Sequence, residues 1–199
     1  MSPKAKVYTI TGLLALGVIT LLWLMPRQPA SSRERSVEEH QHQSDTLALA
    51  LEMINGDNPM EGILMLRQLV EKDSTNIEAQ MYLGLFSIQS SQFDKARERF
   101  ETVLRLDPGN PEALWQLGQL NFGEQKFEEA AINFRALTQA NAGEEYVNAW
   151  FFLGRSLEFT GDTKGALECY ETFQPLNTDT AVANKLDGFI EELRKKLNE

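Results

Sequence analysis

The chain has 199 residues, a formal charge of −10 and a sequence pI near 4.8, which suits one domain of ordinary size. So acidic a chain has no general positive face with which to displace counterions from phosphates, and nucleic acid is not an expected partner. Cys169 is the single cysteine, so an internal disulfide and a multi-cysteine metal site are excluded, and a small buried apolar role is expected for it.

The charge is unevenly spread. Residues 1–39 carry Lys4, Lys6, Arg27, Arg33 and Arg35 against Glu34, Glu38 and Glu39, a local +2 that leaves −12 on the rest. After a tail at 1–6, the 19 residues from Val7 to Met25 hold no charge. As a helix they reach about 28 Å, close to the roughly 30 Å of a bilayer's hydrocarbon core. Residues 7–25 are therefore expected to be a single-pass transmembrane anchor. The rival reading is a cleaved secretory signal with Lys4 and Lys6 as its charged start. Gln28 and Ala30 make a poor processing site, however, and no cysteine follows that could take a lipid.

Residues 26–42, PRQPASSRERSVEEHQH, are too polar for a core and read as a flexible linker. His40 and His42 stand beside Glu38 and Glu39, but two imidazoles in a tether make a weak metal site and are expected to be solvated.

Beyond the linker the chain repeats. Ala50, Gly84, Gly118 and Gly154 each follow a leucine, at intervals of 34, 34 and 36. Gly62, Ala96, Ala130 and Ala166 lie twelve residues further on, and the bulky Leu66, Phe100, Phe134 and Tyr170 four beyond those. Three series sharing one period describe stacked helical hairpins. Small residues let two backbones approach, and bulky ones fill the space to the next unit. Turns are legible at Asn55-Gly-Asp-Asn58 and Thr160-Gly-Asp162. Helix starts are expected where Asn58 precedes Pro59 and Asn110 precedes Pro111, each asparagine capping with its side chain.

With Leu114, Leu117-Gly118, Ala130 and Phe134, and with Leu-Asp-Pro108-Gly-Asn closing the unit before, the chain resembles the tetratricopeptide-repeat family. The resemblance implies an all-α solenoid of four hairpins at 43–76, 77–110, 111–144 and 147–180. The first copy is degenerate, and two residues are inserted near Glu145. Val182, Leu186, Phe189, Ile190, Leu193 and Leu197 then form one apolar stripe, expected to make residues 181–199 a capping helix over the open end of the solenoid.

Catalytic chemistry is not expected. The sequence holds no Gly-rich phosphate loop, no H-E-x-x-H, no G-x-S-x-G and no histidine after His42. Glu128-Glu129, Glu144-Glu145 and Glu191-Glu192 are neighbours that diverge by about 100 degrees on a helix, which does not suit a paired acid/base site. No cofactor and no metal is implied.

Binding remains. In the family, the first helix of each hairpin lines the concave side. Here those helices carry a second stripe: Leu47, Leu51 and Ile54; Met81, Leu85 and Ile88; Trp115, Gln119 and Phe122; Phe151, Arg155 and Glu158. Nine of these twelve are apolar. Relatives that clamp a peptide carboxylate use Lys, Arg and Asn in this region, and only Arg155 could act so here. Two readings stand open: interhelical packing, or a groove for a partner's helix or extended apolar segment. The expectation is a membrane-anchored adaptor or assembly factor, with its repeats on the periplasmic side of a bacterial inner membrane. The alternatives are a cytosol-facing receptor for proteins at a membrane and a self-associating, homo-oligomeric scaffold. The cations flanking the apolar stretch on both sides leave the positive-inside rule undecided.

Overall fold

The computed structural model describes residues 32–140 and 143–198. Nine α-helices run through them in chain order. They are α1 (Ser32–Asn55), α2 (Pro59–Lys72), α3 (Ile77–Gln89), α4 (Phe93–Leu106), α5 (Pro111–Gly123), α6 (Phe127–Gln139), α7 (Asn148–Thr160), α8 (Thr163–Phe173) and α9 (Thr180–Leu197). Short 3₁₀ turns at Glu144–Tyr146 and Gln174–Leu176 interrupt them, and no strand occurs among the described residues. The chain divides into two units at Ser44/Asp45, and the second is the stack of hairpins. The apolar stretch 7–25 lies outside the described residues. Among those described, no helix is long and apolar enough to cross a membrane.

Local chemistry sets the helix starts. Asn110 accepts from the Ala113 N–H at 3.0 Å ahead of Pro111, as expected of a cap before an N-terminal proline. Asn76 accepts from the Ala79 N–H at 2.9 Å and Asp162 from the Gly165 N–H at 2.9 Å. Asn58 departs from expectation: it precedes Pro59, yet its side chain forms no cap bond. Its backbone (φ −127, ψ 54) lacks the extended ψ of Asn110 (φ −60, ψ 111) that turns the side chain toward the helix.

The turn inside hairpins two, three and four is the same construction. The N–H groups of Ser91, Gln125 and Gly161 donate to the carbonyls of Ile88, Phe122 and Glu158, and those of Gln92, Lys126 and Asp162 to Ser87, Asn121 and Leu157. This paired pattern is a Schellman motif and places one residue per turn in the left-handed region. Gly161 takes that place at φ 87, but Ser91 (φ 55) and Gln125 (φ 61) are not glycines.

The 34-residue period has a direct steric cause. A Cβ at Gly84 would stand 2.5 Å from the Phe100 ring, one at Gly118 2.6 Å from Phe134, and one at Gly154 2.6 Å from Tyr170. Each ring is buried, 0% exposed, and reaches its place only because the facing helix has no side chain there. The first hairpin exchanges the two small positions. Leu66 replaces the ring, so Ala50 fits opposite it, while Gly62 meets the Ala50 carbonyl and the Ile54 side chain. A solenoid core is built from neighbours, and three buried clusters follow the chain accordingly.

Two further segments bear on the expected organisation. Polarity predicts a flexible linker at 26–42, whereas residues 32–42 are helical, the opening turns of α1. Pro29 is the last breaker before them, and Arg33, Glu34, Arg35, Glu38, Glu39, Gln41 and Gln43 are good helix formers that hold a helix while staying polar. At the other end α9 lays Leu186, Ile190 and Leu193 into the cluster of α8, with Val182 and Phe189 partly buried, while Leu197 stays 46% exposed.

Candidate protein-binding face

The first helices α1, α3, α5 and α7 present the stripe singled out from sequence, and the structure divides it. Leu47 and Met81 are buried at 7% and 9% exposure, in the first and second clusters. They were expected on the exposed stripe and are core instead, because each lies on the flank of its helix covered by the neighbouring hairpin. Leu51, Ile54, Leu85, Ile88, Trp115, Phe122 and Phe151 are half-buried, resting on the core with one edge toward solvent. Gln119 is exposed. The stripe therefore both packs and presents an apolar surface.

Aromatic rings make the second half of this face continuous. Trp115 meets Phe134 at 5.8 Å, Phe152 at 5.7 Å and Tyr146 at 6.1 Å, all edge-on. Phe122 reaches Phe127, Phe152 and Phe159, and Phe159 stacks on Phe127 at 4.2 Å while 53% exposed. Phe151 leans on Tyr170 and Phe173. Such edge-on and stacked pairs each add about 0.5–1.5 kcal/mol beyond burial. Phe159, Phe127 and Phe152 were missed from sequence. Phe159 directly follows Glu158, the last residue of the expected stripe, and that adjacency was the available signal.

Arg155 is held from three sides. Its guanidinium lies 4.8 Å from the Phe159 ring and 5.2 Å from Phe189, and pairs with Glu158 at 3.0 Å. The same Glu158 oxygen accepts from the Tyr170 hydroxyl at 3.0 Å. Burial, and then the Glu158 carboxylate, push the Tyr170 hydroxyl far above its ordinary value. An arginine neutralised and clamped in this way is not available to a peptide carboxylate.

The inserted residues near Glu145 form the 3₁₀ turn Glu144–Tyr146, which sets the Tyr146 hydroxyl on Glu112 at 2.9 Å. Burial first, then the bond to Glu112 and the charges of Glu112 and Glu145, push Tyr146 up to about 12. Cys169 is buried at 6% exposure, and burial raises its thiol to about 11, so it is an unreactive packing residue.

A cleft of about 650 Å³ lies away from this face, among α4, α5 and α6. Its Arg97 donates to Asn121 at 2.5 Å and to Glu124 at 2.9 Å. Hydrogen bonds from Lys126 and Arg97 hold the Glu124 carboxyl below its usual range.

The tetratricopeptide-repeat family matches the chain over residues 87–145 and again over 147–174. Both matches are to models of the tetratricopeptide repeat. A solved structure of MamA from AMB-1 aligns with TM-score 0.64 at 18% identity, covering 80% of this chain and 84% of that one. PilF of Pseudomonas aeruginosa aligns with TM-score 0.60 at 19% identity, covering 80% and 70%. These likenesses concern the repeat fold. A probable UDP-N-acetylglucosamine–peptide N-acetylglucosaminyltransferase, SPINDLY of Arabidopsis thaliana, is 29% identical over 99 residues. The match spans half of this chain and 11% of that protein.

Proposed function

We propose that this chain is a non-catalytic, membrane-anchored adaptor or assembly factor whose tetratricopeptide repeats bind a partner protein's apolar segment along the first-helix face. Residues 7–25 supply the anchor, and the repeats stand on the periplasmic side of a bacterial inner membrane. The observation that carries the binding reading is the row of half-exposed apolar side chains from Leu51 through Leu85 and Phe122 to Phe159. Apolar surface organised in a row on a repeat scaffold is what helix-in-groove recognition uses.

Leu85→Glu and Phe159→Ser test it, with melting and partner capture measured on the same preparations. A charge at Leu85 must be excluded from water by any partner lying over it, so capture falls at least tenfold, a change of about 1.4 kcal/mol, while Phe159→Ser, which gives up its stack on Phe127 and its contact with Arg155, weakens capture by more than its fall in melting accounts for. Lys95→Glu, on the exposed surface of α4, alters neither. Loss of capture only in proportion to unfolding would reduce the stripe to packing. Trp115→Ala discriminates poorly, since Trp115 rests on three rings and its loss lowers melting as well. For the orientation, protease added to intact spheroplasts digests the repeats; survival until lysis would place them in the cytosol.

A further inference from the structure

Cations are scarce on the first helices. From Asp45 onward the first helices hold Asp45, Glu52, Glu78, Glu112 and Glu158 against one cation, Arg155, which Glu158 already neutralises. The second helices α2, α4, α6 and α8 are nearly balanced, with eight cations against nine carboxylates. Along one edge of the first-helix face the acidic side chains align. Glu78 and Glu112 hold the same position 34 residues apart, in the first turns of α3 and α5. The 3₁₀ turn brings Glu144 and Glu145 beside Tyr146, whose hydroxyl lies on Glu112. Among the described residues none of these four carboxylates takes part in an ion pair.

We infer that the segment docking on this face is a cationic amphipathic one, with apolar side chains on the Leu51–Phe159 row and Lys or Arg along the edge of Glu78, Glu112 and Glu145. This rests on the docking reading above. A neutral segment would gain nothing from that edge. An acidic one would bring like charges together with no cation of the first helices left to answer them. Pairs to the exposed Glu78 and Glu145, with the half-buried Glu112 between them, favour the cationic segment roughly tenfold at low salt, and less as salt screens them.

The test uses the full-length protein in phosphatidylcholine nanodiscs, with empty nanodiscs as the blank. Three fluorescent amphipathic peptides share one leucine/alanine stripe and differ only in carrying Lys, Gln or Glu on the polar side. By anisotropy at about 20 mM salt the Lys peptide binds roughly tenfold tighter than the Gln peptide, and the Glu peptide binds weakest. The three converge at about 0.5 M. Glu78→Gln alone cuts the Lys advantage without changing melting, and adding Glu112→Gln takes it under about threefold, with a small fall in melting because Glu112 also accepts from Tyr146 and Gln116. Equal binding of the three peptides overturns the charge inference and leaves apolar docking standing. No binding by any of them overturns both. A Lys advantage that survives the double substitution overturns the assignment to this edge.

Discussion

At the scale of single residues, the repeat is a relation between a missing side chain and a ring sixteen positions later. Gly118→Ala drives a methyl into the Phe134 ring, which is fully buried and cannot retreat, and overpacking of this kind costs about 1–3 kcal/mol. Gly123→Ala places the same methyl where nothing lies within 4 Å, so a small gain in helix propensity of up to about 1 kcal/mol is expected. Urea denaturation of the two variants separates them: a loss for the first, none for the second. The series Gly84, Gly118 and Gly154 was legible because steric exclusion acts at a fixed chain distance. The burial of Leu47 and Met81 was not, since a stripe at helical period does not tell which flank the neighbouring hairpin covers. The bond from Tyr146 to Glu112 was equally hidden, as it depends on where two inserted residues turn the chain.

At the scale of elements, the hairpins share one turn but not one sequence for it. Gly161 suits the left-handed position, whereas Ser91 and Gln125 hold positive φ at a steric cost. Gln125→Gly relieves that strain at some loss of unfolded-state restriction, and a net stabilisation of up to about 1 kcal/mol is expected. Gly161→Ala introduces the same strain and destabilises by about 1 kcal/mol. Denaturation midpoints at constant slope check both, and a loss on Gln125→Gly would mean that its side chain has a packing role. Turn positions at Gly161 and Asp162 could be read from the sequence because Gly and Asp advertise them. Those at Ser91 and Gln125 could not, because the backbone bonds to the preceding helix impose the conformation. Composition likewise misled at residues 32–42: polarity suggested a tether, yet the same Glu, Gln and Arg residues sustain the first turns of α1.

At the scale of the whole molecule, four hairpins and a terminal helix turn 34-residue periodicity into a surface with two chemistries. The first helices present apolar edges and carboxylates with hardly a cation, and the second helices present both signs in near balance. The hairpin stack was open to sequence reading because its core is made of neighbours in the chain. The working surface was only half open, since its apolar residues serve the core and the exterior together. Photocrosslinking in native membranes tests the central claim most directly. A benzophenone amino acid replaces Gln119, exposed on the first-helix face, or Ile132, 67% exposed on a second helix. Neither position needs its side chain for the core, so the fold stays as it is. The account predicts a discrete crosslinked protein from position 119 that disappears when Leu85→Glu is added, and none from position 132. Crosslinking from 132 but not from 119, or a 119 product indifferent to Leu85→Glu, would contradict it.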